Sequence, residues 1–342
     1  MTTAWVTDWL WRGRGPGARA ARAALLPLAI VYGVLMWLRA MLYRWGVLRT
    51  RALPLPSVAV GNLAVGGAGK TPLAAWIAAF VAARGKRPGI LLRGYGVGDE
   101  DRVHARLVPS AVVVADPDRA AGAARARAAG AEVLVLDDAF QRLDVARDVN
   151  VAVLAAESIG AVPWTLPAGP WREGFGALRR ADVIIVTRRR VPAEAAHRLA
   201  RWLKDRWPGT VVAAVHLDLG GFTGMRSGRR APADALAEKR VVVAAGVADP
   251  QSFAAQVGAC GASVQLVAYQ DHHAYAPADV ERLAQAARSA DYVVVTEKDA
   301  VKLRERWPAD APEPLVADLV VRWDLNGDAV TRVLEGMLRR LL

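Results

Sequence analysis

The segment VAVGNLAVGGAGKTPLAAWIAAF, residues 58–80, contains the residue types that bind phosphate groups. Its glycines lie between an apolar run and Lys70-Thr71, after which the sequence is rich in alanine. A glycine-rich turn between a strand and a helix directs backbone N–H groups toward phosphate oxygens, while the lysine reaches the β- and γ-phosphates and the threonine binds Mg²⁺. Ala64 replaces the first glycine of the pattern G-x-x-x-x-G-K-[ST]. The predicted phosphate loop consists of Gly66, Gly67, Ala68, Gly69, Lys70 and Thr71.

Paired acids follow a second apolar run, in EVLVLDDAFQ. A phosphate loop that works with Mg²⁺ needs a carboxylate for the metal, usually at the end of a neighbouring strand. Asp137 and Asp138 occupy that position, and we expect them to hold Mg²⁺. Taken alone, the pair also suits a helix cap or a solvated turn.

The elements that must position these residues alternate between strand and helix. Strands are predicted at SVAVGN, RPGILLRGYG, AVVVAD, EVLVLDD and VNVAVLAA, and again at ADVIIVTR, TVVAAVHL, RVVVAAGVAD, VQLVAYQDHH and DYVVVTEKDA. Helices are predicted at 72–83, 118–129, 194–207, 251–258 and 277–290. This alternation is typical of a parallel sheet covered on both faces. We therefore predict an α/β fold with a P-loop NTPase-like parallel sheet flanked by helices.

Composition limits the functions that remain. The chain has 342 residues, of which 54% are hydrophobic, so it can bury one large or two ordinary cores. Its formal net charge of +12 favours a polyanionic partner, which includes nucleic acid, phosphorylated metabolites and an anionic membrane. Because Cys260 is the only cysteine, disulfide frameworks and multi-cysteine metal sites are excluded, and a reducing compartment is indicated.

The N-terminus contains AALLPLAIVYGVLMWL, residues 23–38, which carries no charge and has arginines on both sides. A spanning helix needs about 20 apolar residues, and this run is shorter. A secretory signal would continue into a small-residue cleavage site, whereas RAMLYRWG follows here. We expect the segment to lie in the interface of an anionic membrane. A buried first helix, packed on the domain, is the alternative.

Several further motifs occur in the same order and spacing as in one enzyme family. They are RGYG, GDE, DDAFQ, LPAGPWRE, DHH and TEKDAVK, which follow GNLAVGGAGKTP. With these motifs the chain resembles the tetraacyldisaccharide 4'-kinase family, from the N-terminal apolar helix to the last strand. The resemblance implies a membrane-associated P-loop kinase that uses ATP and Mg²⁺. Its substrate would be the lipid A disaccharide precursor, phosphorylated on the 4'-hydroxyl of a tetraacylated glucosamine disaccharide 1-phosphate.

The resemblance also implies roles for individual residues. Lys70 would act on the phosphates and Thr71 on Mg²⁺, with Asp137 and Asp138 as Walker-B-like acids. Asp99 matches the catalytic base of the family and His272 the residue paired with it. Glu173 matches an acid near the metal, and Gln141 and Asp144 match positions near the phosphate acceptor. The reaction needs a base such as a carboxylate, because a sugar hydroxyl must lose its proton as it attacks phosphorus.

The resemblance divides the chain into three parts. We expect a membrane-interface helix and linker at 1–50, a P-loop kinase core at 51–222, and a smaller C-terminal α/β lobe at 223–342 that completes the active-site cleft. A glycine-rich stretch, LGGFTGMRSGRR, lies near the second boundary. The expected location is the cytoplasmic face of the bacterial inner membrane, with its anionic surface as partner.

Other classes of phosphate-loop protein fit these residues less well. A GTPase reads guanine with [NT]-K-x-D, whereas the lysine of TEKD, residues 296–299, comes one position late. A membrane-bound partitioning ATPase carries an extra lysine before the paired glycines, where this chain has Val65. Nucleic-acid binding would rest on net charge alone, since aromatic and basic residues do not interleave, and we expect no nucleic-acid partner. The segment TEKDAVK suits either the nucleotide site or the capped start of a helix.

Overall fold

The computed structural model describes residues 3–94, 99–158 and 162–339. In chain order its helices and strands are α1 (Thr3–Arg12), α2 (Pro16–Arg44), β1 (Ser57–Asn62), α3 (Lys70–Ala82), β2 (Pro88–Leu92), α4 (Asp99–Leu107), β3 (Val112–Ala115), α5 (Arg119–Ala128), β4 (Val133–Leu136), β5 (Val149–Ala155), β6 (Val183–Arg188), α6 (Ala193–Arg206), β7 (Val211–Gly224), β8 (Arg230–Ala231), β9 (Arg240–Ala245), α7 (Pro250–Ala259), β10 (Ser263–Ala268), α8 (Pro277–Ser289), β11 (Tyr292–Val295), α9 (Glu297–Leu303), β12 (Leu315–Leu325) and α10 (Gly327–Arg339).

The chain forms two units, each assembled from separate stretches of sequence. The first comprises Met1–Arg93, Ser110–Val215 and Trp323–Leu342, and the second comprises Gly94–Pro109 and His216–Arg322. Helix α4 therefore belongs to the second unit, although it lies between β2 and β3 in sequence. The predicted boundaries after residues 50 and 222 stay predictions.

The first unit contains a parallel sheet with strand order β6-β5-β1-β4-β2-β3. Strand β1 is central, and all of its residues are buried, as are those of β4. Two hydrophobic clusters pack against this sheet, one that includes Phe140, Trp171 and Ile184 and one that includes Leu91 and Leu134. Strands buried on both faces carry continuous apolar runs, which is the pattern seen in the sequence. The predicted α/β fold with a parallel sheet is confirmed.

In the second unit, β10, β9, β11 and β12 are parallel neighbours in that order. Strand β8 pairs antiparallel with the end of β7. The glycine-rich stretch LGGFTG lies within β7, which continues to Gly224 instead of ending in a loop. Its Gly220 lies close to Val320, where a Cβ atom would approach the side chain to 2.6 Å.

Helix α2 is longer than the apolar run predicted from the sequence. It has 29 residues, includes the flanking arginines, and contains Pro27. It is long and apolar enough to cross a membrane by length and composition, and only 6% of its apolar window is buried. The alternative of a buried first helix is therefore wrong. Large exposed apolar side chains on this helix are Leu28, Ile30, Val31, Val34, Leu35, Trp37 and Leu38.

Hydrogen bonds tie α1 and α2 to the rest of the first unit, and in α1 Trp11 Nε1 donates to the Pro167 carbonyl oxygen at 3.1 Å. Thr165 Oγ1 donates to the Ala29 carbonyl oxygen at 2.7 Å, and Arg39 Nη1 donates to the Gln141 carbonyl oxygen at 3.2 Å. Ala29 is 1% exposed, so the side of the helix near Thr165 is packed while most of its surface is not. Helix α2 is thus attached along one side and exposes apolar residues elsewhere.

Candidate active site

The phosphate loop follows β1 directly, at the carboxyl edge of the first unit's sheet. Gly66 and Gly69 have φ of 120° and 85°, in a region that side-chain-bearing residues rarely adopt. Gly69 is the N-cap of α3, and Lys70 and Thr71 are the first residues of that helix. The loop thus brings backbone N–H groups and a helix N-terminus together, as predicted, and such a terminus attracts phosphate.

Lys70 is held by two polar side chains. Its Nζ lies 3.1 Å from Asn62 Oδ1 and 3.4 Å from Asp138 Oδ1, and its side chain is 17% exposed. Asn62 ends β1, is buried, and donates from Nδ2 to the Ala64 carbonyl oxygen at 2.6 Å. Since β1 and β4 are parallel neighbours, their carboxyl ends lie at one edge, which brings Lys70 to the acid pair.

Residues at the end of β6 support the other side of the loop. The hydroxyl of Thr187, which is fully buried, donates to the Ala68 carbonyl oxygen at 2.9 Å. Arg189 Nη1 donates to the Gly67 carbonyl oxygen at 2.8 Å. These hydrogen bonds hold the carbonyl oxygens of Gly67 and Ala68, and the Ala68 N–H donates to the Gly66 carbonyl oxygen at 3.0 Å, so the loop is braced on both sides.

The acid pair has two distinct environments. Asp137 is 3% exposed, and its Oδ1 accepts from the backbone N–H of Asp138 at 2.8 Å. Asp138 has φ of 50°, an uncommon value for a residue with a side chain and one often found at functional sites. Its carboxylate contacts Arg172 Nη1 at 3.2 and 3.3 Å as well as Lys70. Two cations, Lys70 and Arg172, therefore contact the Asp138 carboxylate.

A buried arginine lies behind the acid pair. Arg119 is 1% exposed and donates from Nη2 to the Asp137 carbonyl oxygen at 3.1 Å. Burial lowers its pKa to about 10, and the charge of Arg142 acts in the same direction, whereas Asp137 and Asp138 oppose them. Arg119 therefore stays cationic at neutral pH and contributes positive charge near the acids.

The site suits an ATP-bound Mg²⁺ better than a free metal ion. Among residues 3–94, 99–158 and 162–339, no three His, Cys, Asp or Glu side chains form a group that could hold a metal. Mg²⁺ commonly binds through one or two carboxylates together with substrate phosphates and water. Thr71, Asp137 and Asp138 beside the phosphate loop fit that arrangement, because the phosphates would complete the ligand set.

The other predicted residues of this unit lie in hydrogen-bonded contacts. Glu173 is 6% exposed, and both of its oxygens accept from Arg180, at 3.0 and 2.8 Å. A metal role for Glu173 would require it to leave this pair. Gln141 Nε2 donates to the Asn62 carbonyl oxygen at 2.7 Å, so this residue is joined to the end of β1.

Asp144 lies farther along the same segment and forms an ion pair with Arg142 at 2.8 Å. Its other cationic neighbour is Arg51, at 3.7 Å. Burial opposes ionisation of Asp144, but the hydrogen bonds and charge of Arg142 outweigh it and lower the pKa of Asp144. Its role near the acceptor stays a prediction.

The predicted base and its partner lie in the second unit. Asp99 is the first residue of α4 and is 6% exposed, so it is not an exposed loop acid. His272 Nδ1 lies 3.6 Å from Asp99 Oδ2, and His272 has φ of 61°. Lys302 Nζ lies closer to the same oxygen, at 2.7 Å. The structure thus brings Asp99 and His272 together and adds a lysine that sequence reasoning did not assign.

The segment TEKDAVK forms α9 and its cap. The Thr296 hydroxyl accepts from the Asp299 backbone N–H at 3.3 Å, so Thr296 is the N-cap. Asp299 is fully buried and accepts from the Tyr275 hydroxyl at 2.8 Å and the Gly246 N–H at 3.1 Å. Burial raises the pKa of Asp299 against the opposing effect of these hydrogen bonds. The capping interpretation of this segment is confirmed.

Sequence reasoning missed several residues at these sites. They are Asn62, Arg119, Arg172, Thr187, Arg189 and Lys302. Asn62, Arg172 and Lys302 lie inside the motifs GNLAVGGAGKTP, LPAGPWRE and TEKDAVK, which was the available signal. Tyr95 and Gly96 of RGYG, and Gly98 of GDE, lie outside the described residues.

Comparison with known proteins agrees with this geometry. Residues 21–339 match a family model described as LpxK, tetraacyldisaccharide-1-P 4'-kinase. The tetraacyldisaccharide 4'-kinase of Azoarcus sp. (strain BH72) is 36% identical over 348 residues, which cover 96% of this chain and 94% of that protein. The tetraacyldisaccharide 4'-kinase of Anaeromyxobacter sp. (strain K) is 38% identical, with coverage of 96% and 93%.

A solved structure is similar over nearly the same length. It is the LpxK of Aquifex aeolicus, described as an apo form in complex with ATP, with a TM-score of 0.72 and 25% identity over 93% of this chain and 99% of that one. The phosphate loop, the acid pair at the same sheet edge, and these matches agree with one another. The chain belongs to the tetraacyldisaccharide 4'-kinase family.

Proposed function

We propose that this chain transfers the γ-phosphate of ATP to the 4'-hydroxyl of a tetraacylated glucosamine disaccharide 1-phosphate, the lipid A disaccharide precursor. The observation that carries the proposal is the contact of Lys70 with Asp138, at 3.4 Å, directly after a glycine loop at the edge of a parallel sheet. Nucleotide kinases of the P-loop class place their phosphate-binding lysine and metal-binding acid in this way. Family membership supplies the identity of the acceptor.

Residues of the first unit would hold the nucleotide and its metal. The backbone N–H groups of residues 66–71 and the Lys70 ammonium group would bind the phosphates, and Thr71 with Asp138 would bind Mg²⁺. The metal supplies positive charge that neutralises the phosphate oxygens. Lys70 and Arg172, which already surround Asp138, would remain as cations beside those oxygens.

Asp99 would accept the proton of the attacking hydroxyl. A carboxylate that is 6% exposed is shielded from water, and His272 beside it can orient or tune it. The role rests on the resemblance and on the pairing of these two residues in the second unit. It predicts that loss of Asp99 slows the chemical step more than it weakens ATP binding.

Helix α2 would bind the cytoplasmic face of the bacterial inner membrane. Its exposed apolar residues, from Leu28 to Leu38, form a surface larger than scattered exposure would give, and such surfaces mark interaction sites. Arginines at both ends, at positions 19, 22, 39 and 44, would meet anionic headgroups. An acylated substrate resides in the membrane, so attachment there brings enzyme and substrate together.

The test is a transfer assay with purified full-length protein. It would contain labelled ATP, Mg²⁺ and tetraacyl disaccharide 1-phosphate in mixed micelles, with Lys70→Ala protein as the matched control. We expect label in the lipid only with the unmodified protein. Release of the label as inorganic phosphate without labelling of the lipid would contradict the proposal. A rate that is the same with GTP as with ATP and does not depend on added lipid would also contradict it.

A further inference from the structure

Lys302 is a buried cation that has no role in the reaction proposed above. It lies near the end of α9, its side chain is 7% exposed, and its Nζ lies 2.7 Å from Asp99 Oδ2. The contact is an ion pair whose angles do not meet those of a hydrogen bond. Asp99 Oδ2 is itself buried, so this oxygen and its cation are both withdrawn from water.

Lys302 is a closer partner of Asp99 than the predicted partner is. His272 Nδ1 is 3.6 Å from the same oxygen, beyond ordinary hydrogen-bond distance, and its side chain is 46% exposed. A buried carboxylate without a compensating charge is strongly disfavoured. Lys302 supplies that charge from a buried position, whereas His272 approaches from the solvent side.

The position of Lys302 is fixed by its own helix. Asp299, one turn earlier, is anchored by Tyr275 and Gly246, and Thr296 caps the helix. Because α9 is held at its start in this way, the ammonium group of Lys302 has a defined place. It can therefore set the orientation of the Asp99 carboxylate.

Two more ion pairs join α9 to α4. Lys298 Nζ lies 3.3 Å from Glu100 Oε1, and Glu297 Oε1 lies 2.5 Å from Arg106 Nε. Lys298 is 27% exposed and Glu100 40%, in contrast to the buried Lys302 pair. Lys298 thus offers a matched control, since it joins the same two helices without touching Asp99.

We propose that Lys302 is a positioning residue for the base, an inference that rests on the proposed function of Asp99. Lys302 binds Oδ2 and thereby presents Oδ1 to the acceptor hydroxyl. As the acceptor oxygen bonds to the γ-phosphorus of ATP, the bond from that phosphorus to the β,γ-bridging oxygen breaks and ADP leaves, while the acceptor O–H bond breaks and its proton passes to Oδ1. Lys302 itself neither gives nor takes a proton in this step.

The experiment is a double-mutant cycle on the full-length protein. Unmodified protein, Lys302→Met, Asp99→Asn and the double variant are compared by kcat, by the KM for ATP and by thermal unfolding. The double variant removes both charges and is expected to fold. We expect Lys302→Met to lower kcat about 100-fold, as a misplaced catalytic group does, with the KM for ATP changed less than about 3-fold.

The cycle separates positioning from a structural role. In the Asp99→Asn background, Lys302→Met should change kcat by less than about 3-fold, because there is no base left to position. Lys302→Arg should retain more activity than Lys302→Met, and Lys298→Met should stay within about 3-fold of the unmodified protein. If Lys302 and Asp99 are coupled in thermal unfolding but not in kcat, then Lys302 has a structural role only.

Two results would overturn the inference, and they differ from failure of the proposed function. A Lys302→Met kcat within about 3-fold of the unmodified value would overturn it, as would a double variant as slow as the product of both single effects. If the unmodified protein transfers no phosphate to the lipid, the proposed function and this inference fall together. An active unmodified protein with no kinetic coupling overturns the inference alone.

Discussion

Gly61→Ala is expected to disturb the site through the backbone of β1. A Cβ atom at Gly61 would lie 2.6 Å from the Phe140 backbone nitrogen and 2.7 Å from Phe140 Cβ, whereas ordinary contact begins at 3.4 Å. The two segments must therefore separate by about 0.8 Å, and the neighbour is a backbone that cannot rotate away. Overpacking of this kind costs about 1–3 kcal/mol in the free energy of unfolding.

The displaced segment also carries Asp138, the acid proposed to bind Mg²⁺. Phe140 follows Asp138 by two residues, so a shift approaching 1 Å is expected to reach the carboxylate that contacts Lys70. A displacement of about that size can lower turnover 10- to 100-fold, roughly, even when every catalytic group is retained. We therefore expect Gly61→Ala to lose both stability and kcat.

Urea unfolding and the lipid-transfer assay would measure both effects. Gly176→Ala is the matched control, because a Cβ there meets nothing within 4 Å and its φ is not positive. It should unfold and turn over like the unmodified protein. If Gly61→Ala also behaved like the unmodified protein, the close approach of β1 to Phe140 would not control the site.

Four further outcomes are expected. Lys70→Ala and Thr71→Ala should abolish transfer while the unfolding temperature stays within a few degrees, because neither side chain is part of the core; a turnover near normal in either variant would refute the phosphate-loop assignment. Asp138→Ala should raise the Mg²⁺ concentration needed for half-maximal rate as well as lower kcat, which a Mg²⁺ titration would measure. Leu35→Glu should weaken binding to anionic vesicles in a flotation assay, since Leu35 is 58% exposed on α2, and unchanged binding would remove that face from the membrane contact. The pKa of Asp144 is lowered from 3.8, so the ionised carboxylate stabilises the fold fully above pH 3.8, and this stabilisation is lost as the pH falls below that value. Asp144→Asn should therefore reduce the fall of the urea unfolding midpoint with decreasing pH in this range.

The strands and the phosphate loop were predictable from the sequence because each is specified locally. SVAVGN is an apolar run ended by glycine and asparagine, and β1 covers those residues, Ser57–Asn62. Helix α3 begins at Lys70, two residues before the predicted start. Asp118, predicted as the first residue of a helix, is the N-cap of α5 and accepts from the N–H groups of Ala120 and Ala121.

Other features depend on contacts between distant residues and left no local signal. Helix α4 has few apolar residues, and its buried side includes Asp99 and His104, so its sequence resembles a solvated segment. What holds it is charge pairing with α9, about 200 positions away in sequence. Arg172 could be read as a surface residue, yet it faces Asp138. A pattern of residue types cannot reveal such partners.

The discontinuous second unit also sets the order in which this protein can be completed during synthesis. Asp99 leaves the ribosome 203 residues before Lys302, as their positions show. At about 5–20 residues per second, this interval lasts roughly 10–40 s. During this interval α4, which lies between β2 and β3 of the first unit in sequence, lacks α9, the helix whose Lys302 pairs with Asp99. The nascent chain must therefore keep an acidic segment unpaired until α9 has been made, and a fragment that stops at Val215 would keep it so permanently.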